Sequence, residues 1–92
     1  MRGMGTAAIR FRLMPEDPKV DLVAVEKAAR DKIAAVGGRV GVVEVKPFAF
    51  GLKSMELVAM VPDKTTSPEA LEEALGGIEG IQSVEVMEIG LL

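Results

Sequence analysis

A single α+β domain of order βαββαβ, a four-stranded antiparallel sheet with two helices on one face, is predicted by three features of the sequence. Four runs alternate at the period of a strand, and two runs repeat apolar residues at helical spacing. The link between the second and third strands, Pro47 to Gly51, is too short for a crossover and therefore closes an antiparallel hairpin. Right-handed crossovers then place both helices on the same side of the sheet.

Each element follows from its residues. Thr6 to Met14 alternates, with Ala7, Ile9, Phe11 and Leu13 on one face and Thr6, Ala8, Arg10 and Arg12 on the other. Pro15 and Pro18 bracket an extended loop, since proline offers no amide proton and disfavours helix in its predecessor. Asp21 is positioned to cap a helix whose apolar stripe is Leu22, Val25, Ala29, Ile33 and Val36, and Gly37-Gly38 supplies a left-handed stop. Arg39 to Lys46 is β-branched, with Val43 and Val45 expected on one face and Val40 and Val42 on the other. Leu52 to Val61 turns Met55, Leu57, Ala59 and Val61 one way and Ser54 and Glu56 the other. Ser67-Pro68-Glu69 reads as cap, first helical residue and acidic first turn, with Leu71, Leu75 and Ile78 on one face. That helix either ends at Gly76-Gly77 or continues to Gly80, with Ile81 folding back onto it. Ser83 to Leu91 is the last strand.

The arrangement is ferredoxin-like, a topology that serves many unrelated functions. Function must therefore come from particular residues. The chain has 92 residues, room for one hydrophobic core; residues 1–5 read either as a disordered segment or as a start-site extension, with Met4 an alternative start. There is no Cys and no His, which removes disulfides, thiolate chemistry and the commonest general base and transition-metal ligand. No signal-peptide pattern and no membrane-length apolar run is present, so a cytoplasmic protein is expected.

All eleven Lys and Arg lie at or before Lys64, while Thr65 to Leu92 carries six Glu and nothing basic, which disfavours phosphate tracking by that third. RNA stacking on the sheet is disfavoured too, because Phe11 is the only aromatic inside a predicted strand. Gly76-Gly77-Ile78-Glu79-Gly80 lacks the Lys and hydroxyl residue of a phosphate loop. Glu16, Asp17 and Asp21 lack calcium-loop spacing and are better read as capping and solvating groups. No nucleophile, base and orienting group can be assembled, so neither covalent catalysis nor a cofactor or metal site is expected. The uncovered sheet face is expected to carry an apolar patch from Val40, Val42, Val58 and Met60.

Two of the three aromatics fall in Pro47-Phe48-Ala49-Phe50-Gly51-Leu52-Lys53. This segment closely resembles the signature of the elongation factor 1 beta family, in its short archaeal form. Weaker likenesses extend over nearly the whole chain at Met14-Pro15-Glu16, Val20-Asp21-Leu22, Val61-Pro62-Asp63 and Ile78-Glu79-Gly80-Ile81. The resemblance implies a guanine-nucleotide exchange factor for the GTPase elongation factor 1 alpha, which itself binds the nucleotide and magnesium; no direct contact with nucleic acid or membrane is implied. It also implies that Phe48 and Phe50 are apolar anchors, that Gly51 permits close approach, and that Lys53 adds charge at the interface. Eukaryotic members of this family carry a Lys just before the last residue, where this chain has Leu91, so Gly90, Leu91 and Leu92 are expected to act as an apolar wedge. The rival expectation is a ferredoxin-like regulatory module that dimerises through its sheet and binds a small metabolite.

Overall fold

The computed structural model describes residues 5–62 and 67–91. Seven segments follow in order: β1 (Thr6–Pro15), α1 (Leu22–Ala35), β2 (Arg39–Pro47), a single 3₁₀ turn at Ala49–Gly51, β3 (Lys53–Pro62), α2 (Pro68–Gly76) and β4 (Ile81–Leu91). The strands form one sheet in the order β2-β3-β1-β4, and every neighbouring pair is antiparallel. This is the predicted ferredoxin-like βαββαβ arrangement. Residues 1–4, the loop at 63–66 and Leu92 lie outside the described residues, and with them the alternative start at Met4. None of the described helices is long and apolar enough to cross a membrane.

The core is the layer between sheet and helices. Ile9, Phe11 and Leu13 of β1 and Met55, Leu57, Ala59 and Val61 of β3 meet Val25, Ala29 and Ile33 of α1 and Leu71 and Leu75 of α2. β1 therefore alternates as predicted and β3 turns Met55, Leu57, Ala59 and Val61 into the core, at a gain of about 1.5–3 kcal/mol for every large apolar side chain. Ser54 and Glu56 on the other face of β3 are buried as well, Glu56 paired with Arg10 and Lys46. Burial narrows the predicted stripe of α1 to its middle: Leu22 is half-buried and Val36 is exposed.

The helix ends follow the capping chemistry of the sequence. Asp21 Oδ1 accepts from the amides of Val23 at 3.0 Å and Ala24 at 3.4 Å, and Ser67 Oγ accepts from the Ala70 amide at 3.1 Å. At the far end of α1 the Gly38 amide donates to Ile33 O and the Gly37 amide to Ala34 O, with Gly37 at φ +83°; this is a Schellman motif. α2 takes the shorter of its two possible lengths, stopping at Gly76 with Gly77 as cap, and the Ile81 amide donates to Ile78 O as the chain turns into β4.

One expectation for the sheet is overturned. Between Val40 and Val43 the β2–β3 register shifts, so that Val40 opposes Ala59 and packs against the core with Val43. An extra residue in an edge strand breaks strict alternation, and it is this bulge that turns Val40 away from the uncovered face. A second shift, between the partners of Arg10 and Phe11, brings Glu88 opposite Arg10 and Glu85 opposite Arg12. The uncovered face is consequently charged. Arg10 meets Glu44 at 3.4 Å and Glu56 at 3.3 Å, Lys46 meets Glu56 at 3.4 Å, and Arg12 meets Glu85 at 3.4 Å. Only Val58 and Met60 of the expected apolar set occupy that face in regular register, both half-buried, with Arg10 opposite Val58 and Arg39 opposite Met60.

Candidate functional site

The hairpin joining β2 to β3 ends in a tight turn. Pro47 and Lys53 form its last paired position; beyond them the Phe48 amide donates to Leu52 O at 2.7 Å and the Leu52 amide to Ala49 O at 3.1 Å. The two central residues of the Ala49–Leu52 turn both have positive φ, Phe50 at φ 61°, ψ 33° and Gly51 at φ 77°. This is the backbone hand of a type I′ turn, whose twist matches that of a hairpin and whose first central position favours Asn, Asp or Gly. Here it is held by phenylalanine. A bulky side chain in the left-handed region costs on the order of 1–2 kcal/mol, since Cβ crowds the following carbonyl.

The same turn directs the ring outward. Phe50 is 95% exposed and Phe48 50% exposed, so neither is a core residue. Gly51 meets its conformational need, and a Cβ built there would find no atom within 4 Å. Lys53 is exposed and, among the described residues, forms no ion pair. Beside the turn a groove of about 260 Å³ runs between Gly51 and Lys53 on one side and Pro18, Asp21, Leu22 and Val23 on the other. Its two carboxylates each have an oxygen engaged by backbone: Asp17 Oδ1 accepts from the Lys19 amide at 2.7 Å, and Asp21 caps α1. Among the described residues no group of acidic side chains is arranged to hold a metal ion.

The remaining expected site residues are placed elsewhere. Gly90 opposes Ala8 and Leu91 opposes Ala7 at the end of β4, while Thr6 opposes Pro62 at the end of β3. The hairpin tip adjoins the opposite end of β3, beyond Lys53. Nine residue steps of strand separate Lys53 from Pro62, roughly 30 Å at the rise of an extended chain. Phe48, Phe50, Gly51 and Lys53 therefore cluster at one end of the sheet, and Gly90 and Leu91 lie at the other.

Two features of the hairpin end were not drawn from the sequence. The left-handed backbone of Phe50 was signalled only by Gly51 in a short loop. Val23, 78% exposed in the first turn of α1, was signalled by its position off the apolar stripe of that helix.

The model of the EF-1 guanine nucleotide exchange domain matches residues 8–92. The chain is 39% identical over 88 residues to elongation factor 1-beta of Methanosphaerula palustris, covering 96% of this chain and 99% of that protein. It is 40% identical over 89 residues to the protein of the same name from Methanoculleus marisnigri, covering 97% and 100%. With that of Archaeoglobus fulgidus it shares 36% identity over 89 residues, again covering 97% and 100%.

Proposed function

The chain belongs to the EF-1 guanine nucleotide exchange domain family, and from that membership we propose that it promotes release of GDP and reloading of GTP on elongation factor 1 alpha. The observation that carries the reading is Phe50. An aromatic ring held in solvent by a left-handed backbone opposes both the hydrophobic effect and backbone preference in the isolated chain. Burial of that ring in a partner offsets the first of these costs.

In this reading the hairpin end docks, with Phe48 and Phe50 as apolar anchors and Lys53 beside them. Gly51 keeps the turn tight and leaves open space where a side chain would otherwise stand. The opposite end, at Gly90 and Leu91, together with Leu92 next in the sequence, acts on the nucleotide side of the partner as an uncharged wedge. No bond is made or broken by the factor. It weakens the hold of the GTPase on GDP and magnesium, and abundant GTP then fills the vacated site. Linkage makes this reciprocal: a factor that weakens GDP binding is itself weakened by GDP to the same extent.

The test is release of fluorescent GDP from loaded elongation factor 1 alpha chased with excess GTP. The chain is expected to accelerate release, and Phe50→Ala to reduce the acceleration at least tenfold, as loss of an interface anchor of about 2 kcal/mol implies. Complex formation with the nucleotide-free GTPase, reversed by GDP and magnesium, is expected alongside. No acceleration at saturating factor would refute the reading.

A further inference from the structure

We propose that the first turn of α1, through Val23, forms a second half of the docking end and receives the same GTPase surface as the hairpin. The inference rests on the exchange-factor reading and adds to it a residue outside the hairpin signature. Four of the eight exposed large apolar side chains among the described residues, Val23, Val45, Phe48 and Phe50, belong to this end of the molecule. The groove between Val23 and Gly51 makes the helix turn and the hairpin tip two walls of one surface. Its charge names the occupant. The groove lining holds two carboxylates, Asp17 and Asp21, each with one oxygen accepting from backbone amides, and one ammonium, Lys53, which has no carboxylate partner among the described residues; the free cation thus stands on the hairpin wall and the acidic groups at the loop and the start of α1. A surface of that kind fits an apolar ridge of the GTPase with a carboxylate beside it, the ridge lying between Val23 and Phe50 and the carboxylate on Lys53.

Val23→Thr keeps the shape of the side chain and exchanges a methyl for a hydroxyl; Val23→Ser removes more of the apolar contact. Val23 is in water in the free chain, so for both variants the thermal midpoint is expected to stay within about 2 °C of the parent. In the fluorescent-GDP assay, Val23→Ser is expected to raise the factor concentration for half-maximal exchange about tenfold with an unchanged maximal rate, and Val23→Thr about threefold. Val36→Ser, at the other end of α1, is expected to leave both quantities unchanged. If both Val23 variants stay within twofold of the parent while Phe50→Ala impairs exchange, docking is confined to the hairpin and this proposal is overturned with the exchange reading intact. Equal losses from Val23→Ser and Val36→Ser would overturn it as well. If the parent chain gives no exchange, both readings fall together.

Discussion

Phe50 concentrates two unfavourable features in one residue, a left-handed backbone and a ring in water, and they can be separated by substitution. Asparagine tolerates φ near +60° because its short polar side chain bonds locally, and no core contact of Phe50 exists to be lost. Phe50→Asn is therefore expected to stabilise the free chain by about 1 kcal/mol, a rise of roughly 4–8 °C in thermal midpoint for a domain of this size. The same change should reduce nucleotide exchange on elongation factor 1 alpha at least tenfold. Scanning calorimetry and the exchange assay on one preparation check both signs. A variant that is less stable than the parent would show that the ring makes a contact in the free chain, and the interpretation of the turn as a presenting device would fail.

At the scale of elements, two glycines near helix ends have opposite requirements. A Cβ on Gly38 would lie 2.5 Å from Val61 Cγ1 and 2.8 Å from Met60 O, so α1 must leave its last turn pressed against β3 with no side chain between them. On Gly76 a Cβ would meet only Val84 Cγ2, at 4.0 Å, an ordinary contact. Gly38→Ala is accordingly expected to destabilise by about 2–3 kcal/mol through overpacking. Gly76→Ala should stabilise by about 0.5–1 kcal/mol by restricting the unfolded chain and improving helix propensity. Urea unfolding midpoints of the two variants should move in opposite directions. These elements were legible in the sequence because caps, stops and period-two burial are local: Asp21, Ser67 and Gly37 act where their chemistry suggests. The facing of Val40 was not legible. A bulge in β2 is a property of its pairing with β3, and nothing in Arg39 to Lys46 alone reports the shifted register. The charged face illustrates the same limit, since Glu85 and Glu88 reach one side only through the irregularity in β4. For the candidate site, the hairpin segment was legible as a string, whereas the place of Val23 beside it depends on the groove between the start of α1 and the turn.

The whole molecule places the two regions expected to meet the GTPase at opposite ends of β3, roughly 30 Å apart, with a closely packed layer between them. Sites that far apart and without a shared contact behave independently unless the structure between them has two arrangements. A rigid two-ended factor should therefore show additive losses. If the hairpin docks and the C-terminal residues wedge, as proposed, Phe50→Ala is expected to act on the concentration needed for exchange and removal of Gly90 to Leu92 on the maximal rate. β4 keeps its pairing from Ile81 to Ile89 after that truncation, including Ile9 with Ile89, so the fold should persist with fraying limited to the last turn of the ladder. In the double variant the free-energy changes in exchange efficiency should sum to within about 0.5 kcal/mol. A coupling well beyond that value would mean that seating the hairpin changes how the far end engages the nucleotide side, and the factor would then work by a conformational relay. Truncation without effect on the maximal rate would assign exchange to the hairpin end alone.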